Sequence, residues 1–159
     1  MFLNFRQDGS FSNNKLFPGQ YRVAPVDGPF YPIDSADMKI VDLHSGASTR
    51  VDFTVVPYIN VEWVTPPSVT ADKKVTATFR FTRNAAPPGK TQPALLDYQL
   101  FISTTQYVGN NNWDNTIVGA AQAAPGKEAT DVTITSTAPM KYATTYYVRV
   151  GVRVNDSFK

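Results

Sequence analysis

Apolar and polar residues alternate along much of the chain with a period of two, the pattern of strands with one buried and one wet face. The second half shows this best. Val75, Ala77, Phe79 and Phe81 fall on one side of a segment whose other side carries Thr76, Thr78, Arg80 and Thr82. Leu96, Tyr98, Leu100 and Ile102 share a face opposite Asp97, Gln99 and Ser103. Tyr146, Val148, Val150, Val152 and Val154 make the longest row, opposed by Tyr147, Arg149, Gly151 and Arg153. Val132 and Ile134 predict a shorter strand, and Ile59, Val61 and Trp63 open the series. No apolar run at helical spacing lasts beyond a turn or two. Alternation of this kind favours antiparallel sheets with one solvated face.

Turn-rich stretches separate these strands: Thr65-Pro66-Pro67, residues 84–93, residues 109–115 and Pro125-Gly126-Lys127. That spacing predicts a two-sheet sandwich. In the first half, Gly9-Ser10-Phe11 and Leu16-Phe17-Pro18-Gly19-Gln20-Tyr21-Arg22-Val23 read as turn, short strand, turn, strand. Val51, Phe53 and Val55 predict a further strand, while Gly28, Pro29 and Pro32 make residues 26–37 an irregular loop or edge. The boundary falls near Pro57 and Tyr58. The fold class expected is therefore all-β, with two tandem β-sandwich modules over residues 1–57 and 58–159.

Composition removes most chemistry. The 159 residues are 42% hydrophobic and 18% charged, enough apolar material for a packed core. The absence of cysteine excludes disulfide scaffolds, thiolate metal sites and cysteine nucleophiles. The single histidine, His44, lies in the predicted hairpin turn Asp42-Leu43-His44-Ser45-Gly46, with no evident serine partner for a triad. Glu62 and Glu128 are the only glutamates, and the aspartates sit singly on turns or outward positions. A glycosidase needs two carboxyl groups about 5–9.5 Å apart across a cleft. Asp97 with Asp114, or Asp34 with Asp37, would have to converge, and turn formation explains them better. Fifteen basic residues against thirteen acidic ones, scattered without a run, leave a net charge of +2 and no nucleic-acid-binding face. No apolar stretch reaches the roughly 20 residues of a membrane-spanning helix. The opening from Met1 to Arg6 lacks the features of a signal peptide. The expectation is a non-enzymatic protein without cofactor or metal.

Three resemblances rest on particular residues. Met140-Lys141-Tyr142-Ala143-Thr144-Thr145-Tyr146-Tyr147-Val148-Arg149-Val150 resembles the corner leading into the sixth strand of fibronectin type III domains, with Met140, Thr144 and Tyr146 in place and Tyr142 where proline is usual. That likeness implies a Tyr146 hydroxyl turned back onto the backbone. Gly9, Phe11, Leu16, Gly19, Tyr21 and Val23 are similar to the last strands of transthyretin-like, carboxypeptidase-regulatory-like modules, here with too few preceding residues for a whole module. Residues 15–23, 26–30, 51–59 and the loop Tyr107-Val108-Gly109-Asn110-Asn111-Asn112-Trp113-Asp114 together resemble a Bacteroidetes family of unknown function. Its members are surface lipoproteins encoded beside SusC- and SusD-type glycan-uptake genes.

The family resemblance implies an outer-membrane lipoprotein at the cell surface, held by a lipid anchor outside this segment. It implies an accessory spacer or glycan-binding role, with polysaccharide or oligosaccharide and SusC/SusD-type proteins as partners. The lipid-bearing cysteine and the leading strands are absent, and no final strand is expected after Ser157. The alternative is a docking protein that binds another surface protein through an exposed loop or sheet edge. The loop around Trp113 is the candidate glycan site: Trp113 and Tyr107 offer aromatic faces, and Asn111, Asn112 and Asn115 offer amides. Trp113 folded back as a cap on the sandwich is the competing expectation. Asn110, Asn111, Asn112, Asp114 and Asn115 offer oxygen ligands of the kind calcium takes, but only one is charged, and a loop closed by its own amides is expected instead. Phe30 and Tyr31, framed by Pro29 and Pro32, form a second aromatic patch expected to pack where the modules meet.

Overall fold

The structure, a computed structural model, describes Leu3, Arg6 and residues 9–156. The rest of the opening hexapeptide, and anything from Ser157 onward, lies outside the described residues. The chain divides into two compact units, residues 1–26 with 32–54, and residues 27–31 with 55–159.

The first unit is built on one antiparallel pair, β1 (Gly19–Val23) against β2 (Lys39–Leu43), with Tyr21 opposite Val41. The Tyr21 hydroxyl donates to the Phe17 carbonyl at 2.9 Å and ties the preceding turn to the strand. The turn at His44 forms, closed by the Ala47 N–H on the His44 carbonyl at 3.1 Å, but no return strand follows. Residues 51–55 alternate between half-buried and exposed as predicted, yet among the described residues no neighbouring strand gives them a ladder. Alternation reports which side is covered. It does not supply a hydrogen-bonding partner.

The second unit is a sandwich of two three-stranded antiparallel sheets. One runs β3 (Ile59–Val69), β4 (Val75–Arg83), β7 (Val132–Thr135); the other runs β6 (Gln122–Ala123), β5 (Leu95–Ser103), β8 (Tyr147–Val154). Val75, Ala77, Phe79 and Phe81 turn inward as one row, and Tyr98, Leu100 and Ile102 meet them from the other sheet. Phe79 is the meeting point. Its ring lies edge-on to Trp63 at 6.5 Å and to Tyr98 at 5.5 Å, and stacks with Phe81 at 6.2 Å.

Two sequence expectations are corrected here. Thr65-Pro66-Pro67 does not end a strand: β3 runs through it, with register shifts between Trp63 and Thr65 and between Thr65 and Ser68. Proline is tolerated because, among the described residues, β3 pairs with β4 alone, and bulges on an edge leave its missing N–H unneeded. Leu96 does not join the core row. A register shift between Leu95 and Asp97 carries it outward, and Leu95 packs against the core in its place.

Loops complete the core where strands run out. Ile117, Val118 and Ala124, all buried, come from the long β5–β7 connection. Ser136 extends the β4–β7 ladder through its side chain, its Oγ accepting from the Val75 N–H at 3.1 Å and donating to the Ala138 carbonyl at 2.8 Å. At the approach to β8, the Tyr146 hydroxyl accepts the Tyr142 N–H at 3.1 Å. Tyr31, taken into this unit with residues 27–31, is buried edge-on against Tyr58 at 4.8 Å, and its hydroxyl donates to the Asn84 carbonyl at 3.0 Å.

Because Phe79 joins both sheets, Phe79→Ala should cost about 3–5 kcal/mol in chemical denaturation, the range for a large buried aromatic. Leu96→Ala should cost less than about 0.5 kcal/mol, as for an exposed position. Equal losses at the two sites would contradict this register.

Candidate functional site

The two outer faces of the second unit differ in kind. On the β4–β7 side, Thr76 bonds Thr135 and Thr78 bonds Thr133, both at 2.9 Å, and Arg80 donates to Asp131 at 2.8 Å. Arg83 holds Glu128 at 3.0 Å, and this hydrogen bond keeps the Glu128 carboxyl below its ordinary range. Cross-strand hydroxyl and ion pairs of this sort close a polar surface and leave nothing apolar to offer.

The β5–β8 side is different. Phe101 stands on the outward face of β5, opposite Arg149 in register, where alternation would place a polar residue. It is nevertheless buried. Trp113 sets its ring edge-to-face on Phe101 at 5.9 Å and 73°. From β8, Gly151 makes room: a Cβ there would lie 2.8 Å from the Phe101 ring. One row along, Asp97 and Arg153 form a bidentate pair, with Arg153 Nε donating to Asp97 Oδ1 at 3.1 Å. That contact raises the Arg153 pKa further.

Trp113 is placed by a self-braced loop that follows β5. The Ser103 hydroxyl accepts the Thr105 N–H at 3.3 Å, starting the turn away from the strand. Gly109 and Asn112 exchange backbone hydrogen bonds at 3.2 and 3.0 Å, leaving Asn110 and Asn111 at the tip of a miniature hairpin. Asn112 Nδ2 donates to Thr105 Oγ1 at 2.7 Å and to the Tyr107 carbonyl at 3.4 Å. The Asp114 N–H then returns to the Ile102 carbonyl at 2.8 Å, stitching the loop to the free end of β5. Asp114 anchors the exit. Its Oδ1 accepts the Thr116 hydroxyl at 2.5 Å and the Thr116 N–H at 2.9 Å, and its Oδ2 accepts Lys141 Nζ at 2.9 Å. The Thr116 hydroxyl first, then Lys141, pull its carboxyl down to about 2.

The five sequence-derived residues therefore take separate positions. Trp113 is half-buried, packed on the core and on Phe101. Tyr107 is 63% exposed, and Asn111 and Asn115 are exposed at the loop tip and in the Asp114 turn. Asn112 is exposed but spent on bracing. An open cleft of about 820 Å³ runs beside this loop along β8, and its outer side is lined by Gln99, Phe101, Gly109, Asn110, Ala121 and Arg149. Of the loop, the structure thus brings Gly109 and Asn110 to the cleft, with Trp113 behind its aromatic floor. Sequence reasoning passed over Phe101, Arg149 and Gly151. The available signal was an aromatic at an outward strand position. Among the described residues, no three His, Asp or Glu side chains gather as metal ligands. An aromatic floor with amide and guanidinium groups on its rim can hold a polar, flat-faced ligand. It contains no paired nucleophile and base.

Residues 64–159 match the family described as Domain of unknown function (DUF3823_C), and residues 1–56 match the Protein of unknown function (DUF3823) N-terminal domain. A DUF3823 family protein from Bacteroides uniformis is similar at a TM-score of 0.76 and 26% identity, over 94% of this chain and 71% of that one. A DUF3823 family protein from Parabacteroides merdae superposes at 0.69 and 24% identity, over 96% and 71% of the two chains. Another Bacteroides uniformis structure, described as a "putative carbohydrate binding protein", matches at 0.64 and 28% identity, over 96% and 72%. Among curated proteins none is similar to this chain.

Two predictions test the placement of the loop and its floor. The Asp114 carboxyl is held at about 2 in the folded chain against an ordinary 3.8, so its contribution is complete above that ordinary value. It is lost as the pH falls from there towards the folded value. Asp114→Asn should therefore lower stability by about 1 kcal/mol at neutral pH, and the difference should close near pH 2, measured by denaturant melts across pH. Gly151→Ala should cost about 1–3 kcal/mol by pushing on Phe101.

Proposed function

The chain belongs to the DUF3823 family, and on that premise we propose that it is a non-catalytic carbohydrate-binding module. The observation that carries this is the outward-facing Phe101, braced from behind by Trp113 and lining the cleft with Gln99, Asn110 and Arg149. Sugar rings present an apolar face and an edge of hydroxyls. An aromatic floor suits the first, and amide and guanidinium donors suit the second. Of the carboxylates lining the cleft, Asp97 is held by Arg153. Asp114, in the neighbouring loop, is held by Thr116 and Lys141, which lower its pKa to about 2; a general acid in glycoside hydrolysis needs the opposite shift.

In this proposal the protein works at the outer-membrane surface, carried by a lipid anchor outside residues 1–159. It serves as an accessory to SusC- and SusD-type glycan uptake, with exposed Tyr107, Asn111 and Asn115 extending the contact from the loop. What supports the carbohydrate part is the likeness to the Bacteroides uniformis protein described in those terms. The second reading, docking to another surface protein through an exposed loop or sheet edge, is favoured by the exposure of Tyr107 at the loop.

Native affinity gels carrying a panel of polysaccharides test the first reading. The parent protein should be retarded by at least one glycan. Trp113→Ala should weaken that retardation about tenfold, worth about 1.4 kcal/mol. Tyr107→Ala, at an exposed residue, should weaken it without moving the melting temperature. If no polysaccharide retards the parent, the glycan reading is wrong and docking takes its place. Release of reducing ends during long incubation would overturn the non-catalytic assignment.

A further inference from the structure

The charges along the floor of the cleft do not cancel. On the outward face of β5 and β8, the register sets Ser103 against Tyr147, Phe101 against Arg149, Gln99 against Gly151 and Asp97 against Arg153. Asp97 and Arg153 neutralise each other as a bidentate pair. In the neighbouring loop, Asp114 is taken up by Thr116 and Lys141. Two further carboxylates line the cleft away from this face. Glu62 stands opposite Arg80 in the β3–β4 register and so turns to the outer surface of the other sheet. Asp156 follows the end of β8, past the Arg153 row, and lies near Tyr58. Among the described residues, Arg149 is left as the uncompensated charge beside Phe101.

The loop shows where that charge points. A Cβ built on Gly109 would lie 3.8 Å from Arg149 Nη1, so the guanidinium reaches from β8 to the loop that follows β5. It turns towards β5, over the outward face of the sheet. β5, β8 and the loop alone create this placement. Gly109 has no side chain to cover the guanidinium, and Arg149 is exposed. Phe101, Gln99 and Asn110, which line the cleft with it, are all uncharged.

Chemistry decides what such a group prefers. A guanidinium is always charged, accepts nothing, and presents its N–H donors in a planar fork. The paired oxygens of a carboxylate or sulfate take two of those donors at once, and the bond is charge-assisted. A neutral sugar hydroxyl takes one donor and gains no charge term. Directly opposed residues of an antiparallel pair lie about 4.5–5.5 Å apart at Cα. Phe101 and Arg149 are such a pair, so one sugar unit spans the aromatic position and the cation together.

We propose that the carbohydrate taken by this cleft is acidic, a glycan whose sugar ring lies against Phe101 and whose carboxylate or sulfate group is held by Arg149. The inference rests on the carbohydrate reading above and adds the charge of the ligand to it. Arg149 is then the residue that separates charged from neutral glycans, and Asn110 adds an amide beside it at the tip of the loop.

Titration calorimetry on residues 1–159 tests this with matched polymers that differ in charge: polygalacturonate and its methyl ester, alginate and its propylene glycol ester, chondroitin sulfate and its desulfated form, dextran sulfate and dextran. At least one acidic member should bind about tenfold more tightly than its partner, and the pair that shows this tells carboxylate from sulfate. Arg149→Gln, an exposed substitution checked by its melting curve, should remove the preference by weakening the acidic member and leaving its partner unchanged. Arg149→Lys should restore it only in part, because a point charge replaces the fork. Arg22→Gln, at an exposed arginine outside the cleft, should change neither. The inference is overturned, and the carbohydrate reading stands, if neutral members bind as well as acidic ones or better. It is also overturned if Arg22→Gln weakens the acidic member as much as Arg149→Gln, since the attraction is then general. If no polymer of either kind binds, the carbohydrate reading itself fails and takes this inference with it.

Discussion

The second unit depends on one aromatic contact set. Phe79 on β4 touches Trp63 on its own sheet and Tyr98 on the facing one, and stacks on Phe81. No cysteine or metal-ligand cluster is available to share that task among the described residues. Short sheets of three strands must therefore be joined by burial alone. Large rings are the efficient means, since each removes much apolar surface from water and tolerates edge-to-face contact with its neighbours. The inward valines of β8 and the loop residues Ile117 and Val118 fill the space those rings leave.

That arrangement separates a closed face from an open one. Thr–Thr bonds and ion pairs seal the outer surface of β4 and β7. On the opposite surface, Phe101 occupies a position that alternation assigns to a polar residue, and the loop carrying Trp113 folds down onto it. The loop is held by short polar contacts at both ends, Ser103 with Thr105 and Asp114 with Thr116 and Lys141. An aromatic pair braced in this way is held in one arrangement, and in the proposed carbohydrate site that would limit the ordering cost of binding.

Much of the strand layout was legible because period-two alternation is imposed by the pleat itself. The rows at Val75 to Phe81 and at Tyr98 to Ile102 follow it into the core. Three departures have local causes. Leu96 was misplaced because one bulge inverts the facing of the residues beyond it. Thr65-Pro66-Pro67 looked like a turn because proline is excluded from paired edges, whereas β3 takes it up at two register shifts on an outer strand. Val51, Phe53 and Val55 carry the pattern of a strand without a partner. The candidate site was legible only as a loop: Tyr107, Asn111, Asn112, Trp113 and Asn115 are neighbours in sequence, whereas Phe101, Arg149 and Gly151 join them only through pairing of β5 with β8.

The sequence by itself determined the class of fold, the inward rows of the principal strands and the poverty of catalytic groups. Each of these follows from residue type and nearest-neighbour spacing. Tertiary structure decided the order of strands in each sheet, which asparagine braces the loop and which lines the cleft, and that Trp113 rests on Phe101. These depend on contacts between residues far apart in the chain, such as Gly151 beneath Phe101 and Lys141 on Asp114, whose geometry is created only when the strands pair.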